Sequence, residues 1–192
     1  MLRAAVDLAD QGGIASLSMR TLAKELGVEA MSLYRHVRNK GDMVDGMVDL
    51  VFGEIGLPLR EVEWKTAMRG RALSAREVLA RHSWAIGLME SRSAPGPATL
   101  RHHDAVIGCL REAGFSIAMV AHAYSVLDSY IYGFALQQVS LAFKTSEEVV
   151  EVAEKILRRF PVQAYPHLTE LTVEHVLRPG YDFADEFAFG LD

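Results

Sequence analysis

The sequence predicts an all-α chain, with an N-terminal three-helix head carrying a helix-turn-helix and a larger C-terminal helical bundle. Three observations carry this prediction. Apolar residues recur at helical spacing in runs separated by short breakers, and no segment shows the two-residue alternation of a strand. Residues 18–40, SMRTLAKELGVEAMSLYRHVRNK, give the most specific signal, two short helices around a glycine turn.

Each element has a local reason. Leu2 to Gln11 form a first helix stopped by Gly12 and Gly13. Ser18 caps the second, its hydroxyl placed to accept from the Thr21 N–H, and Leu22, Ala23 and Leu26 form its apolar face until Gly27. Glu29 starts the third, whose Leu33 and Val37 turn back toward the second. Asp42 is the expected cap of a fourth helix with Met43, Val44, Met47, Val48, Val51 and Phe52 on one face, ending near Gly53 to Gly56.

The segment GLPLREVE is the expected boundary, dividing a head at 1–55 from a bundle at 56–192. Trp64, Ala67, Met68, Arg71, Ala72, Ala75 and Val78 then mark a fifth, amphipathic helix. A short helix around Trp84 to Ser91 ends at SAPGP, and the next runs to Ala113 before Gly114. Ser116 caps the longest helix, from Ile117 to Ala142, and Thr145 with Glu148 has capping-box spacing for a helix to Phe160. Pro179 and Gly180 separate the last two helical pieces.

Charge singles out one segment. The chain is acidic overall, with 20 Lys and Arg against 25 Asp and Glu, yet Arg20, Lys24, Arg35, Arg38 and Lys40 gather in residues 18–40 against only Glu25 and Glu29. A local cationic face on a helix-turn-helix is the footprint of duplex DNA. Ala30, Met31, Ser32, Tyr34, Arg35 and His36 form a short face for base edges, with Arg38 and Lys40 behind it for phosphate and Arg20 and Thr21 at the start of the preceding helix.

These residues resemble a known family. Residues 1–52 are similar to the DNA-binding head of the tetracycline-repressor (TetR) family, through LSMRTLAKELGV, SLYRHVRNK and DMVDGMVD at fixed spacing. LREAGFS and the terminal EFAFGLD resemble, more weakly, the tetracycline-repressor type of C-terminal domain. The resemblance implies a homodimeric regulator, most simply a repressor on palindromic double-stranded DNA released by a small-molecule effector of unknown identity. By position it places Arg20, Ala30, Met31, Ser32, Tyr34, His36 and Lys40 at DNA contacts. It also implies that the long helix and the last helix pair with their symmetry mates, which makes Phe183, Phe187 and Leu191 an expected dimer stripe together with Ile131, Gly133, Phe134 and Leu136.

In the bundle, the long helix carries a polar stripe of His122, Ser125, Ser129 and Tyr132 along an otherwise apolar element. The candidate lining of an effector cavity is Trp84, Met89, His103, Ile107, Tyr124, Leu127, Asp128 and Ile131. Met89 falls where the tetracycline repressor places a histidine that helps hold magnesium. A thioether is a poor ligand for that hard cation, so magnesium-tetracycline is not the expected effector. His102, His103 and Asp104 point about 100° apart on a helix and make no shared chelate, which leaves them a solvated or pocket-edge role. No metal or other cofactor is called for.

The competing class is an all-helical enzyme in which His82, His103, His122 and Asp128 converge in one cleft. Against it, the chain has no P-loop, GxGxxG, HExxH, CxxC or GxSxG motif. A helix-turn-helix used only for protein contacts is disfavoured by its basic charge. The single cysteine, Cys109, sits in the apolar run VIGCL and is expected to pack as a small hydrophobe. No apolar stretch is long enough to span a membrane and no signal-peptide pattern opens the chain, so a soluble cytoplasmic protein is expected. Helical patterning begins at Leu2 and the apolar stripe is cut off at Asp192, so the native polypeptide is expected to extend beyond one or both ends.

Overall fold

Among the described residues, capping and glycine chemistry set the boundaries of ten α-helices: α1 (Leu2–Gly12), α2 (Met19–Glu25), α3 (Ala30–Leu33), α4 (Lys40–Glu54), α5 (Trp64–Arg81), α6 (Pro97–Glu112), α7 (Ile117–Ser140), α8 (Ser146–Leu157), α9 (Pro166–Leu171) and α10 (Phe183–Phe189). The computed structural model describes residues 1–141, 143, 145–159 and 161–192, leaving out the Ser146 side chain. Among the described residues there is no strand. The expected ends of the long helix at Ala142 and of the next helix at Phe160 lie outside the described residues, and α7 and α8 end at Ser140 and Leu157.

The head is built as its sequence suggests. Ser18 Oγ accepts from the Thr21 N–H at 3.0 Å while Thr21 Oγ1 accepts from the Ser18 N–H at 2.9 Å, a reciprocal cap that satisfies two otherwise orphaned donors. Gly27 takes φ +65°, a left-handed turn that favours glycine. Leu22, Ala23 and Leu33 are buried where α2 meets α3. The third helix is only four residues long, but the Val37 N–H still reaches the Leu33 carbonyl, so one further turn follows it.

One cap differs from expectation. Asn39, not Asp42, caps α4, accepting from the Asp42 N–H at 2.9 Å. The helix starts earlier than its apolar stripe suggests, and Asp42 in its first turn is left to hold Arg38. All six residues assigned to the apolar face of α4 are buried.

The chain divides into two compact units, Met1–Leu136 and Gln137–Asp192, with the division inside α7. In the first unit α4 packs against both α1 and α6, and α5 packs against α6. Met68, Val106, Leu110 and Val120 knit α5, α6 and α7 together, with Trp64, Phe115, Tyr124 and Leu127 around them. The core therefore runs on past residue 55, where the sequence suggests a boundary between functions. The region expected as a short helix from Trp84 to Ser91 is a 3₁₀ turn, Ser83–Ala85, followed by irregular turns.

In the second unit, Thr145 and Glu148 form the expected capping box on α8. Asp182 caps α10, and His175 meets Glu186 at 2.7 Å. Phe187 is fully buried within a single chain, whereas Phe189 is the exposed aromatic. Phe187 is thus a core residue rather than part of an open dimer stripe. The same correction holds for Ile131 and Phe134 on α7, which face the subunit interior, while Leu136 and Gly133 remain exposed.

Candidate DNA-binding face and effector site

The helix-turn-helix presents one open surface. Met31 is 76% exposed, and Tyr34, Arg35 and His36 are exposed beside it. Ala30 and Ser32 are half-buried, and Ser32 Oγ donates to the Glu29 carbonyl at 2.7 Å, which fixes its rotamer. Thr21 is spent on the α2 cap, so its hydroxyl serves the fold first.

The cations divide into two sets. The Arg38 guanidinium forks onto the Asp42 carboxylate, with Nε to Oδ2 at 2.6 Å and Nη2 to Oδ1 at 2.9 Å. This pairing raises the pKa of Arg38 and lowers that of Asp42. Lys40 Nζ donates to the Leu17 carbonyl and ties α4 to the chain before α2. Arg20, Lys24 and Arg35, by contrast, make no ion pair among the described residues. A cation without an internal partner loses nothing inside the protein when it meets phosphate.

The head is joined to the bundle by acidic residues that sequence reasoning overlooked. Asp49 of α4 accepts from the Thr99 N–H and hydroxyl, both at 2.8 Å, and from the Ala98 N–H at 3.3 Å, so it caps the first turn of α6 from outside. A Cβ at Gly96 would lie 2.3 Å from the Asp49 carboxyl carbon, so only glycine leaves room for this contact. Asp45 pairs with Arg92, whose guanidinium also reaches the Gly41 carbonyl at 3.3 Å. Farther along, His82 lies between Asp10 and Glu54, at 2.8 and 3.0 Å. The available signal was the spacing of Asp42, Asp45 and Asp49, which places carboxylates along one side of α4.

Inside the bundle a polar cluster sits where an apolar core would be simpler. Arg71 of α5 lies 2.6 Å from Asp128 of α7, with both side chains more than nine-tenths buried. His102 of α6 is buried beside them, and its Nε2 accepts from Arg71 Nε and Nη2 at 3.2 and 3.0 Å. Burial, then the Arg71 charge and His103, hold the His102 pKa down to about 3, so the ring is neutral and its proton sits on Nδ1. That Nδ1 and both Asp128 oxygens have no hydrogen-bond partner among the described residues; the Arg71–Asp128 contact is close in charge but poorly aligned. Of the solvated or pocket-edge role expected for His102, the solvated one is wrong, because Arg71 holds the ring in the interior.

Two tyrosines face the same carboxylate. Tyr124, whose hydroxyl contacts His103 Nδ1, and Tyr132, whose hydroxyl donates to Glu90 at 3.1 Å, both have their pKa raised by burial first and Asp128 second. His103, Tyr124 and Asp128 are thus brought together, as the candidate lining requires. Met89 and His103 line a neighbouring cavity of about 150 Å³ with Asp45, Arg92 and Thr99.

The other candidates lie elsewhere. The Trp84 indole donates to Asp10 at 2.7 Å and belongs to the head–bundle joint. Ile107 is exposed on α6, Leu127 packs into the α5–α6–α7 core, and Ile131 is fully buried. One face of α7, through Val120, Asp128, Ile131 and Phe134, is covered, and the opposite side with Met119, His122 and Val126 is open. Cys109 is half-buried on a separate cavity of about 290 Å³ beside Trp64, and burial pushes its thiol pKa up. The residues of the enzyme alternative do not converge, since His82 is held by Asp10 and Glu54 and His122 is exposed on α7. Among the described residues no helix is long and apolar enough to cross a membrane.

Comparison with known proteins agrees with this architecture. Residues 1–47 match the family described as bacterial regulatory proteins, tetR family, and residues 57–192 match the tetracyclin repressor-like C-terminal domain. An HTH-type transcriptional regulator of Saccharopolyspora erythraea is 38% identical over 69% of this chain and 57% of its own length. The HTH-type transcriptional repressor DrrR1 of Streptomyces coeruleorubidus is 33% identical over the whole chain and 73% of its own length. Among solved structures, Streptomyces coelicolor ActR in complex with actinorhodin superposes with a TM-score of 0.80 at 26% identity, over 99% of this chain and 89% of that one. The chain thus spans little more than half the length of one curated relative and nearly three quarters of another. These are regulators rather than enzymes, and the chain belongs to the tetracycline-repressor family of bacterial regulatory proteins.

Proposed function

We propose that the protein is a cytoplasmic, homodimeric transcriptional repressor that binds a palindromic operator through the exposed face of its helix-turn-helix and leaves it when a small organic effector occupies the Arg71–Asp128 region. The observation that carries the DNA reading is the unpaired state of Arg20, Lys24 and Arg35 around exposed Met31, Tyr34 and His36. In this reading Ala30, Met31 and Ser32 approach base edges and Arg20 and Arg35 take phosphate. Arg38 and Lys40 act mainly by fixing the entry to α4. The division of labour falls near residues 55 and 56.

Two heads are needed because one recognition helix reads only a few base pairs, whereas a pair about 34 Å apart reads successive major grooves. The exposed side of α7, with Met119, Val126 and Leu136 among His122, Ser125 and Ser129, supports a two-fold contact. The effector reading rests on the orphaned polar atoms of Asp128 and His102, which a bound polar molecule would satisfy. The actinorhodin complex of ActR supports a small organic molecule as the effector class.

Coupling then has a physical route. An effector that shifts α6 displaces the Asp49 contact on its first turn, and α4 carries that change to the head. Selection of bound duplexes from a random pool tests the reading. A palindrome with half-sites about one helical turn apart is the expected product, and recovery of no sequence above background contradicts it.

A further inference from the structure

The head–bundle joint contains a buried histidine that no part of the proposed DNA or effector contacts uses. His82, at the end of α5, has a side chain 7% exposed, with Nδ1 2.8 Å from Asp10 Oδ1 of α1 and Nε2 3.0 Å from Glu54 Oε2 of α4. Carboxylates only accept, so both contacts are hydrogen bonds only when both ring nitrogens carry protons. A neutral imidazole has one N–H, and its other nitrogen would then point a lone pair at a carboxylate oxygen.

We infer that His82 is a positioning residue whose proton holds the DNA-binding head to the bundle, so that operator binding by the dimer weakens as this ring loses its charge. The inference rests on the reading of residues 1–55 as the DNA-binding head.

The carboxylates of Asp10 and Glu54 favour the charged ring, whereas the guanidinium groups of Arg3 and Arg81, both held on Glu54, oppose it. Asp10 and Arg3 come from α1, Glu54 from α4 and Arg81 from α5, and the neighbouring turn offers only the Trp84 indole, which shares Asp10 Oδ1. Burial alone would raise the Glu54 pKa, but hydrogen bonds from His82, Arg81 and Arg3 bring it down to about 2, so it is an anion throughout the range in which histidine titrates. With the ring neutral, α1 or α4 must release its contact and the head gains freedom. Two loosely held heads find two half-sites with a lower effective concentration than two fixed ones. The affinity for a single half-site, which requires no fixed spacing, is left largely alone.

The test uses the whole chain, the palindrome recovered by selection and a duplex carrying one of its half-sites. The ratio followed is the palindrome affinity divided by the square of the half-site affinity, which is the effective concentration and cancels any titration within the head itself. In the wild type this ratio is expected to fall about tenfold across a pH series that takes the ring from protonated to neutral, the effect of losing one charge-assisted hydrogen bond. His82→Gln and Asp10→Asn should give a low ratio that does not change with pH; the asparagine keeps an oxygen for the Trp84 indole. Nitrogen-15 spectra of the His82 ring should show two protonated nitrogens at the acidic end. A singly protonated ring there, a flat wild-type ratio, or a His82→Gln protein that keeps the wild-type slope overturns the inference. A doubly protonated ring in a protein that binds no duplex at any pH overturns the DNA-binding reading instead and leaves the clamp standing.

Discussion

The head and the bundle use charge in opposite ways. In the head, Arg20, Lys24 and Arg35 stand in solvent without an ion-pair partner among the described residues, and the exposed Arg38–Asp42 pair serves local geometry. In the bundle, Arg71 and Asp128 face each other out of water, with His102 forced neutral beside them. An exposed cation costs the fold little and is available to a polyanion. A buried pair carries a desolvation penalty that its Coulomb attraction only partly offsets, so its retention points to specificity or to a ligand. The two regions should therefore respond differently to the same kind of substitution.

The largest effect is expected in the bundle. Asp128→Ala leaves Arg71 as an uncompensated buried charge and should destabilise the fold by about 3 to 5 kcal/mol in chemical denaturation. Removing both charges with Arg71→Met and Asp128→Leu should recover most of that loss. A single substitution as mild as the double one would show that water already reaches the pair. Arg38→Ala in the head should leave the denaturation midpoint unchanged, because an exposed pair contributes little.

The joint between the regions comes next. Gly96→Ala must push the Asp49 carboxylate off the first turn of α6, and losing those hydrogen bonds should cost about 1 to 3 kcal/mol. Ser18→Ala, which removes half of the α2 cap, should cost about 1 kcal/mol. Equal stability of the Gly96→Ala and wild-type proteins would mean that Asp49 does not hold α6.

A more diagnostic effect is pH dependence. The unfolded chain protonates His102 near 6.5, while the folded chain does so only near 3. Between those values the unfolded state binds the extra proton, so stability should fall steadily on acidification through that window. His102→Phe should remove this component of the slope, as read from unfolding curves at a series of pH values. An unchanged slope would place the titration elsewhere.

Legibility in the sequence follows the same contrast. The head could be read because its parts are neighbours: the Ser18 cap, Gly27, Leu33 and the exposed run from Ala30 to His36 lie within one short segment. The bundle site draws Arg71, His102 and Asp128 from three helices, and no local spacing links them. A trace was present all the same, since Arg71 falls on the apolar stripe of α5 and Asp128 interrupts an apolar stretch of α7. A charge on a buried stripe requires a partner, and that rule would have paired them. Trp84 and Leu127 lie away from the expected lining for a related reason. Periodicity shows that a residue is covered but not by which element, and these two are covered by the joint and by the core.

In the proposed function Arg20 and Arg35 of the head meet phosphate. The most direct test is the salt dependence of operator affinity for the wild type, Arg35→Ala and Arg38→Ala, measured by fluorescence anisotropy on the selected palindrome. The wild type should show a steep linear fall of log affinity with log salt, and Arg35→Ala should flatten that slope by about one unit per replaced contact in each subunit, whereas Arg38→Ala should change it less. Salt-independent binding, or an Arg35→Ala slope identical to the wild type, would mean that these cations do not meet phosphate.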